Sequence, residues 1–368
     1  MNALRRTLAI LRKEMRHITR DSRVMFLVTL APALLLLLLS YVFSFDVDRF
    51  TLAALDLDHS AISRDYLSAI TSDGEFEITR FVSSYAEIDA LLAQGTVNMA
   101  LVIPRGFGDA ALGGRGATAQ AVVDGVNAIS AGQGIAQLTA RSAAYGVSLR
   151  AGAAKPADVT RRAWHNTALK SLHSMAPGLL AVVLFMPAMA VTLALAREKE
   201  TGSFEGLIAT PVRGVEYLAG KVLAYLLTGL VGAIAAVLVA VVWFGVPLRG
   251  SVFALLGLTA LYFLATMGIG LLVAHFVSSQ QTAMTIILLA FFVPSFFISG
   301  LITPIDATTL SGRLTAYSLP TTHFITITRS VFLKGSGLES LWPQAALLIG
   351  MAAVMIALSV ALFKKKLR

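Results

Sequence analysis

Six stretches of this chain run for about twenty residues each without one Asp, Glu, Lys or Arg: 24–45, 175–196, 222–248, 252–275, 282–303 and 343–363. A helix needs roughly 20 consecutive apolar residues to cross a bilayer, and inside lipid an open segment cannot satisfy its backbone groups. Six transmembrane helices are therefore predicted. Charged residues make up only 14% of the chain, where soluble domains carry about 25%. The spans lack internal ionisable residues, which argues against an ion-coupled carrier or a channel with a charged filter.

The first run follows a basic arm. Leu4, Leu8, Leu11, Met15 and Ile18 recur at helical spacing, and seven Lys or Arg residues up to Arg23 are interspersed with them. Residues 1–23 are predicted to form an amphipathic helix lying on anionic lipid. The run at 24–45 is too long for a signal-peptide core and no A-x-A site follows it, so it is read as an uncleaved span. The net charge of +9 is the positive-inside bias of a membrane protein. It is not a nucleic-acid footprint, because no basic stripe carries interleaved aromatics.

Orientation follows from where the cations lie. The arm, the segment holding Arg197, Lys199, Arg213 and Lys221, and the KKKLR tail all fall on one side of six spans. That side is the cytoplasm, with both termini in it. The short loop between spans three and four has only Arg249. Between spans one and two lies a long segment of different character. Its strand-like runs are 50–58, 75–82, 97–104 and 118–125, and its helix-like runs are 60–70, 84–95 and about 127–150. This β-α-β-α-β order predicts a small open α/β sheet outside the membrane.

The predicted fold is an α-helical polytopic membrane protein of six transmembrane helices, with a small α/β extracytoplasmic domain between spans one and two. Its parts are the interface helix 1–23, the first span 24–46, the outer domain 47–173, a five-span domain 174–363 and a tail 364–368. Within the five-span domain, a cytoplasmic segment 197–213 and an outer segment 304–342 stand apart. In the outer segment, Pro320 opens a helical stretch running to Gly335 with Phe324, Ile327 and Val331 on one face, read as a re-entrant helix.

Several chemistries are excluded or weak. There is no cysteine, so no thiolate site or disulfide. The histidines never pair at metal-ligand spacing, and His275 reads as a membrane-edge residue. GVEYLAGK (214–221) is not a P-loop: five residues separate its glycines, and Val222 follows the Lys. FFVPSFFISG (291–300) reads as packing or lipid-facing bulk. In REKETGSFEGLIATPVRGVEYLAGK (197–221), Phe204, Leu207 and Ile208 share one helical face and Glu198, Thr201 and Glu205 another. Physics alone leaves this segment open between a solvated turn and a short helix that docks into a soluble partner.

Four stretches carry a family resemblance: REKETGSFEGLIATPV (197–212), LDLDHSAISRDYLSAI (55–70), ALVIPRGFGDA (100–110) with the later VVDGVNA, and SGLITPID with SLPTTHFITITRSVFLKGSGLESLWP (318–343). Together they resemble the ABC transporter type-2 permeases, in the bacterial subgroup with a large outer domain after the first span. The resemblance implies a permease dimer, of identical or paralogous copies, with a separate ABC ATPase on the cytoplasmic face. It implies no catalysis and no cofactor in this chain, ATP and Mg being bound by the partner. It makes Glu198, Glu200, Thr201, Gly202, Glu205, Thr210 and Pro211 the ATPase-coupling residues. It places Pro320, His323, Phe324, Arg329 and Gly335 at an outer gate. Gly214 stands where relatives often have proline, which bears on where the third helix starts. The function implied is export of a small amphipathic or hydrophobic, drug-like or lipid-like compound across a bacterial inner membrane. The outer domain is a candidate dock for a periplasmic adaptor. The rival is a membrane receptor with an outer sensing domain, disfavoured because a receptor would carry a cytoplasmic output domain and the longest cytoplasmic segment here is 197–221.

Overall fold

The computed structural model describes residues 3–43, 49–113, 116–124, 128–150, 171–203, 212–302, 305 and 309–363. The chain divides into two compact units, Met1–Ser44 with Trp164–Arg368, and Phe45–Ala163.

The first unit opens with α1 (Ala3–Arg20). Span one is then built of α2 (Ser22–Met25), a π-turn (Phe26–Leu30) and α3 (Ala31–Val42). The π-turn has a local cause. In an unbroken α-helix residue 32 would donate to Val28 O, but residue 32 is proline and has no N–H. Asp21 caps the span, its Oδ1 accepting from the N–H groups of Arg23 and Val24 at 3.0 and 3.3 Å.

The second unit comprises β1 (Phe50–Asp56), α4 (Ala61–Thr71), β2 (Phe76–Phe81), α5 (Tyr85–Ala93), β3 (Met99–Ile103), α6 (Phe107–Leu112), β4 (Gln120–Val123) and α7 (Ala128–Arg150). The strand order is β2-β1-β3-β4, parallel except for the antiparallel edge strand β4. Alternation along β1 feeds two cores. Phe50, Leu52 and Ala54 face Tyr66, Leu67 and Leu138, while Ala53 and Leu55 face Ile88. Helices thus cover both faces of the sheet. Every strand and helix expected from the pattern is present, displaced by a residue or two at the ends; α6 was not expected. It exists because the Asp58 carboxylate accepts three backbone N–H bonds at its start, from Gly106 (2.7 Å), Phe107 (3.1 Å) and Gly108 (3.0 Å). This contact joins LDLDHS to IPRGFG. A Cβ at Gly108 would stand 2.8 Å from Ser60 Oγ, so the approach needs glycine.

The first unit resumes with α8 (Ser171–Val183), α9 (Met186–Glu200), α10 (Gly214–Leu238), α11 (Val252–Phe276), α12 (Gln280–Ile287), α13 (Val293–Phe297), α14 (Leu310–Ser318), α15 (Pro320–Arg329) and α16 (Leu338–Leu362). Among the described residues, six helical stretches are long and apolar enough to cross a membrane: Ser22–Val42, Leu172–Glu200, Gly214–Trp243, Val252–Phe276, Gln280–Phe297 and Leu338–Leu362. Where the spans cross, backbones come close. A Cβ on Gly232 would meet Val28 O at 2.3 Å, the same carbonyl that Pro32 leaves without its usual donor. A Cβ on Gly270 would meet Thr192 Oγ1 at 2.3 Å, so α9 and α11 touch through a glycine. Span hydroxyls satisfy themselves one turn back, as in Thr192 to Ala188 O and Thr259 to Leu255 O, both 2.7 Å.

Three expectations change. The third span begins at Gly214, eight residues before the start expected from hydropathy, because the charged turn Glu216–Lys221 is itself helical and buried by α1. Gly214 fits the position: a Cβ there would lie 2.6 Å from the Phe363 ring. The arm is not wholly a lipid-facing helix. Ile18 is buried and Ile10, Leu11 and Met15 pack on the bundle, leaving Leu4 and Leu8 of the apolar stripe exposed. Finally, Glu198 and Thr201 do not share one helix, since α9 stops at Glu200 and Gly202 adopts φ +69°; Phe204, Glu205, Leu207 and Ile208 lie outside the described residues.

Candidate functional site

The end of the bundle that carries α1 and the 197–203 turn holds a ring of alternating charge. Lys221, two turns into α10, is 1% exposed and donates to Glu14 (2.9 Å) and Glu198 (3.1 Å). Lys13 closes the ring from the solvent side, at 3.1 Å from Glu14 and 3.5 Å from Glu198. The hydroxyl of Tyr217 also donates to Glu198. Burial alone would raise the Glu14 carboxyl, but the charge and hydrogen bond of Lys221, with those of Lys13, hold it below the ordinary carboxylate range. Two acids and two amines therefore form a balanced set in which Glu14 and Lys221 are buried, and the pairing is the condition for keeping those two groups out of water.

This ring explains one residue of the run Arg197-Glu198-Lys199-Glu200, and its neighbours are each spent on a different helix end. Arg197 reaches Asp21, the cap of span one, at 3.4 Å. The Lys199 ammonium donates to Ala274 O (2.7 Å) and His275 O (2.8 Å), the last turn of α11. Glu200 accepts from the backbone N–H of Gln280 (3.0 Å) and its side-chain amide (3.1 Å), at the start of α12. A cation on a helix C-terminus and a carboxylate on an N-terminus both match the helix dipoles. Four consecutive side chains thus clamp the end of α9 to span one, α1 with α10, α11 and α12. Thr201 caps α9, its hydroxyl on Arg197 O at 2.9 Å. Glu205, Thr210 and Pro211 lie outside the described residues.

The segment 320–335 occupies the other end of the bundle. Pro320 starts α15, where its missing N–H costs nothing. Phe324 lies flat on Tyr262 of α11, centroids 4.3 Å apart and planes 6° apart, and the Tyr262 hydroxyl donates to Ala181 O at 2.8 Å. His323 Nε2 contacts Tyr317 O at 2.9 Å. Arg329 gathers three backbone carbonyls, Ser174 (3.2 Å), Gly300 (3.0 Å) and Leu301 (3.0 Å), and burial pushes its guanidinium down from the usual arginine value. A π-turn (Ser330–Lys334) follows, ended by Gly335 at φ +69°, a left-handed position that favours glycine. Phe324, Ile327 and Val331 are all fully buried. The five residues singled out here lie along one packed helical segment, whereas the coupling motif is distributed over several helix ends.

A family model for the ABC-2 family transporter protein matches residues 23–361. The chain belongs to this family. Among relatives of this ABC-2 permease, the probable multidrug ABC transporter permease YbhS of Escherichia coli (strain K12) is 30% identical over 99% of this chain and 98% of its own length. The probable multidrug ABC transporter permease YbhR of the same organism is 24% identical over 97% and 98%. The inner membrane transport permease YhhJ, also of Escherichia coli (strain K12), is 27% identical over 51% of each chain. The GVEYLAGK stretch of this ABC-2 chain is helical from its first glycine, so it offers no phosphate-cradling loop.

Reading the sequence missed Glu14 and Lys221. Hydropathy put Lys221 in a loop, and periodicity put Glu14 on the lipid-facing arm. One local signal was available: Glu14 is the sole acid among the cations of α1 (Ala3–Arg20) and sits between apolar Ile10 and Ile18 on the same helical face.

Proposed function

We propose that this chain is the membrane subunit of an ATP-driven exporter that moves a small amphipathic or hydrophobic compound across a bacterial inner membrane. It works as a permease dimer with a separate ABC ATPase, which binds the ATP and Mg. The end bearing α1 and residues 197–213 faces the cytoplasm, with both chain termini. The α/β unit is extracytoplasmic, where it can dock an adaptor, and the 320–335 helix shapes an outer gate.

The observation that carries this reading is full-length similarity to a relative named as a multidrug ABC transporter permease. The clamp at 197–200 supports it mechanically. A partner that moves the chain beyond Gly202 would pull on four helix ends at once. Glu198 and Glu200 then act through the bundle, and contact with the ATPase falls to Thr201, Gly202, Glu205, Thr210 and Pro211.

Affinity purification from native membrane in mild detergent, with ATP hydrolysis assayed on the eluate, tests the partnership. A stoichiometric ATPase is expected; a stable chain purified without one would refute it. Glu205→Arg should leave membrane insertion intact and abolish transport by the assembled complex. Unchanged transport removes Glu205 from the coupling role.

A further inference from the structure

Beside the charged ring, a cleft of about 580 Å³ is lined by α1, the start of span one, α9 and α10. Small-molecule sites commonly occupy roughly 300–1,000 Å³. One wall is apolar: Val24, Leu27, Ala190, Leu193 and Ala194. The polar lining does not balance. Lys13 and Lys221 are matched by Glu14 and Glu198, and Arg197 by Asp21. Arg23 also lines the cleft, at its exposed rim, and its guanidinium has no protein partner among the described residues. A second observation points the same way. Tyr225 lines the cleft and is fully buried, yet its hydroxyl makes no hydrogen bond among the described residues. A buried hydroxyl left unpaired costs on the order of 1–3 kcal/mol, which a ligand oxygen would recover.

We propose that this cleft binds one anionic amphiphile. Its phosphate or carboxylate head, carrying a single negative charge, sits on Arg23 and accepts from the Tyr225 hydroxyl. Its hydrocarbon part lies along Val24, Leu27 and Leu193. A planar guanidinium suits either oxyanion, since both present two oxygens to its fork. A neutral amphiphile would leave Arg23 unmatched, and a water-soluble anion would leave the apolar wall uncovered. The site rests on the membrane-protein reading and narrows the class of compound the exporter handles. The head chemistry is shared by a resident acidic phospholipid and by an anionic export substrate.

The test uses the full chain in a neutral detergent. Binding of dioctanoyl phosphatidylglycerol, deoxycholate and dioctanoyl phosphatidylcholine is titrated by native mass spectrometry. Both anions are expected to bind at least about tenfold tighter than phosphatidylcholine. Arg23→Gln should weaken both by about tenfold while leaving phosphatidylcholine unchanged, and Arg23→Lys should keep most of the affinity. Tyr225→Phe, which preserves the packing, should cost severalfold. Arg20→Gln, on the arm but outside the cleft, should have no effect. Equal binding of the neutral lipid, or equal losses from Arg20→Gln and Arg23→Gln, would overturn the proposal. A phospholipid that copurifies at one per chain and stays bound during ATP turnover by the reconstituted transporter identifies a resident lipid. Release of deoxycholate under the same conditions identifies cargo. Binding is read without the ATPase, so its failure leaves the export reading standing, and failure of ATPase copurification leaves the binding result standing.

Discussion

Replacing Lys221 by methionine tests whether the buried charged ring holds the bundle end together. The substitution keeps the length and apolar stem of the side chain but removes the only fully buried cation between Glu14 and Glu198. Glu14, 2% exposed, is left with Lys13, whose own side chain is 57% exposed. Breaking a buried pair from one side costs about 3–5 kcal/mol, a factor of more than a hundred in the unfolding constant. Glu14→Gln in the same background removes the stranded charge, so the double variant should recover about half of that loss.

The pH dependence adds an independent sign. In the native protein the Glu14 carboxyl is depressed, so its stabilising share is present above the ordinary carboxylate range and fades as pH falls through the lowered value. Without Lys221, burial dominates and the carboxyl rises above its unfolded value. Its share is then favourable at low pH and lost as pH increases. The stability gap between native protein and Lys221→Met should therefore be wide at neutral pH and narrow on acidification. The assay is reversible unfolding of the full chain in mixed micelles at several pH values. Strict additivity of the two single substitutions, or a gap that does not vary with pH, would refute the reasoning.

Other consequences are quicker to check. Arg329→Met leaves three backbone carbonyls without their donor and should destabilise the 320–335 helix by about 3 kcal/mol, seen as faster amide hydrogen exchange over 320–329. Arg329→Lys should recover only part of this, because the three carbonyls are met by Nε, Nη1 and Nη2 of a planar guanidinium, and the single nitrogen of an ammonium cannot stand in all three places. Gly232→Ala places a methyl 2.3 Å from Val28 O and should cost about 1–3 kcal/mol in thermal stability. Gly257→Ala meets nothing within 4 Å and should be neutral or stabilising by up to about 1 kcal/mol through helix propensity. Asp58→Ala should release the start of α6, read as lost exchange protection at 107–112. The Ser60 hydrogen bond and the three N–H groups hold the Asp58 carboxyl below its usual range. Its contribution is therefore full above that range and disappears as pH falls through the depressed value.

The six spans, the alternating strands and the long helices are legible in the order of residues alone. Each is a local pattern: an apolar run as long as a bilayer, or a period of two or 3.6. That order also carried the family motifs, though not what their side chains touch. Tertiary structure decided the partners of the charges. Glu14 and Lys221 are 207 positions apart, and only the packing of α1 on α10 turns one face of an amphipathic arm into protein interior. Helix α6 is short, and what starts it is a carboxylate about fifty residues earlier in the chain. Arg329 reads as a basic residue closing a helix, yet its three acceptors come from α8 and from the chain just after α13. Burial and charge pairing depend on which surfaces meet, and a one-dimensional pattern fixes the faces of an element without fixing what covers them.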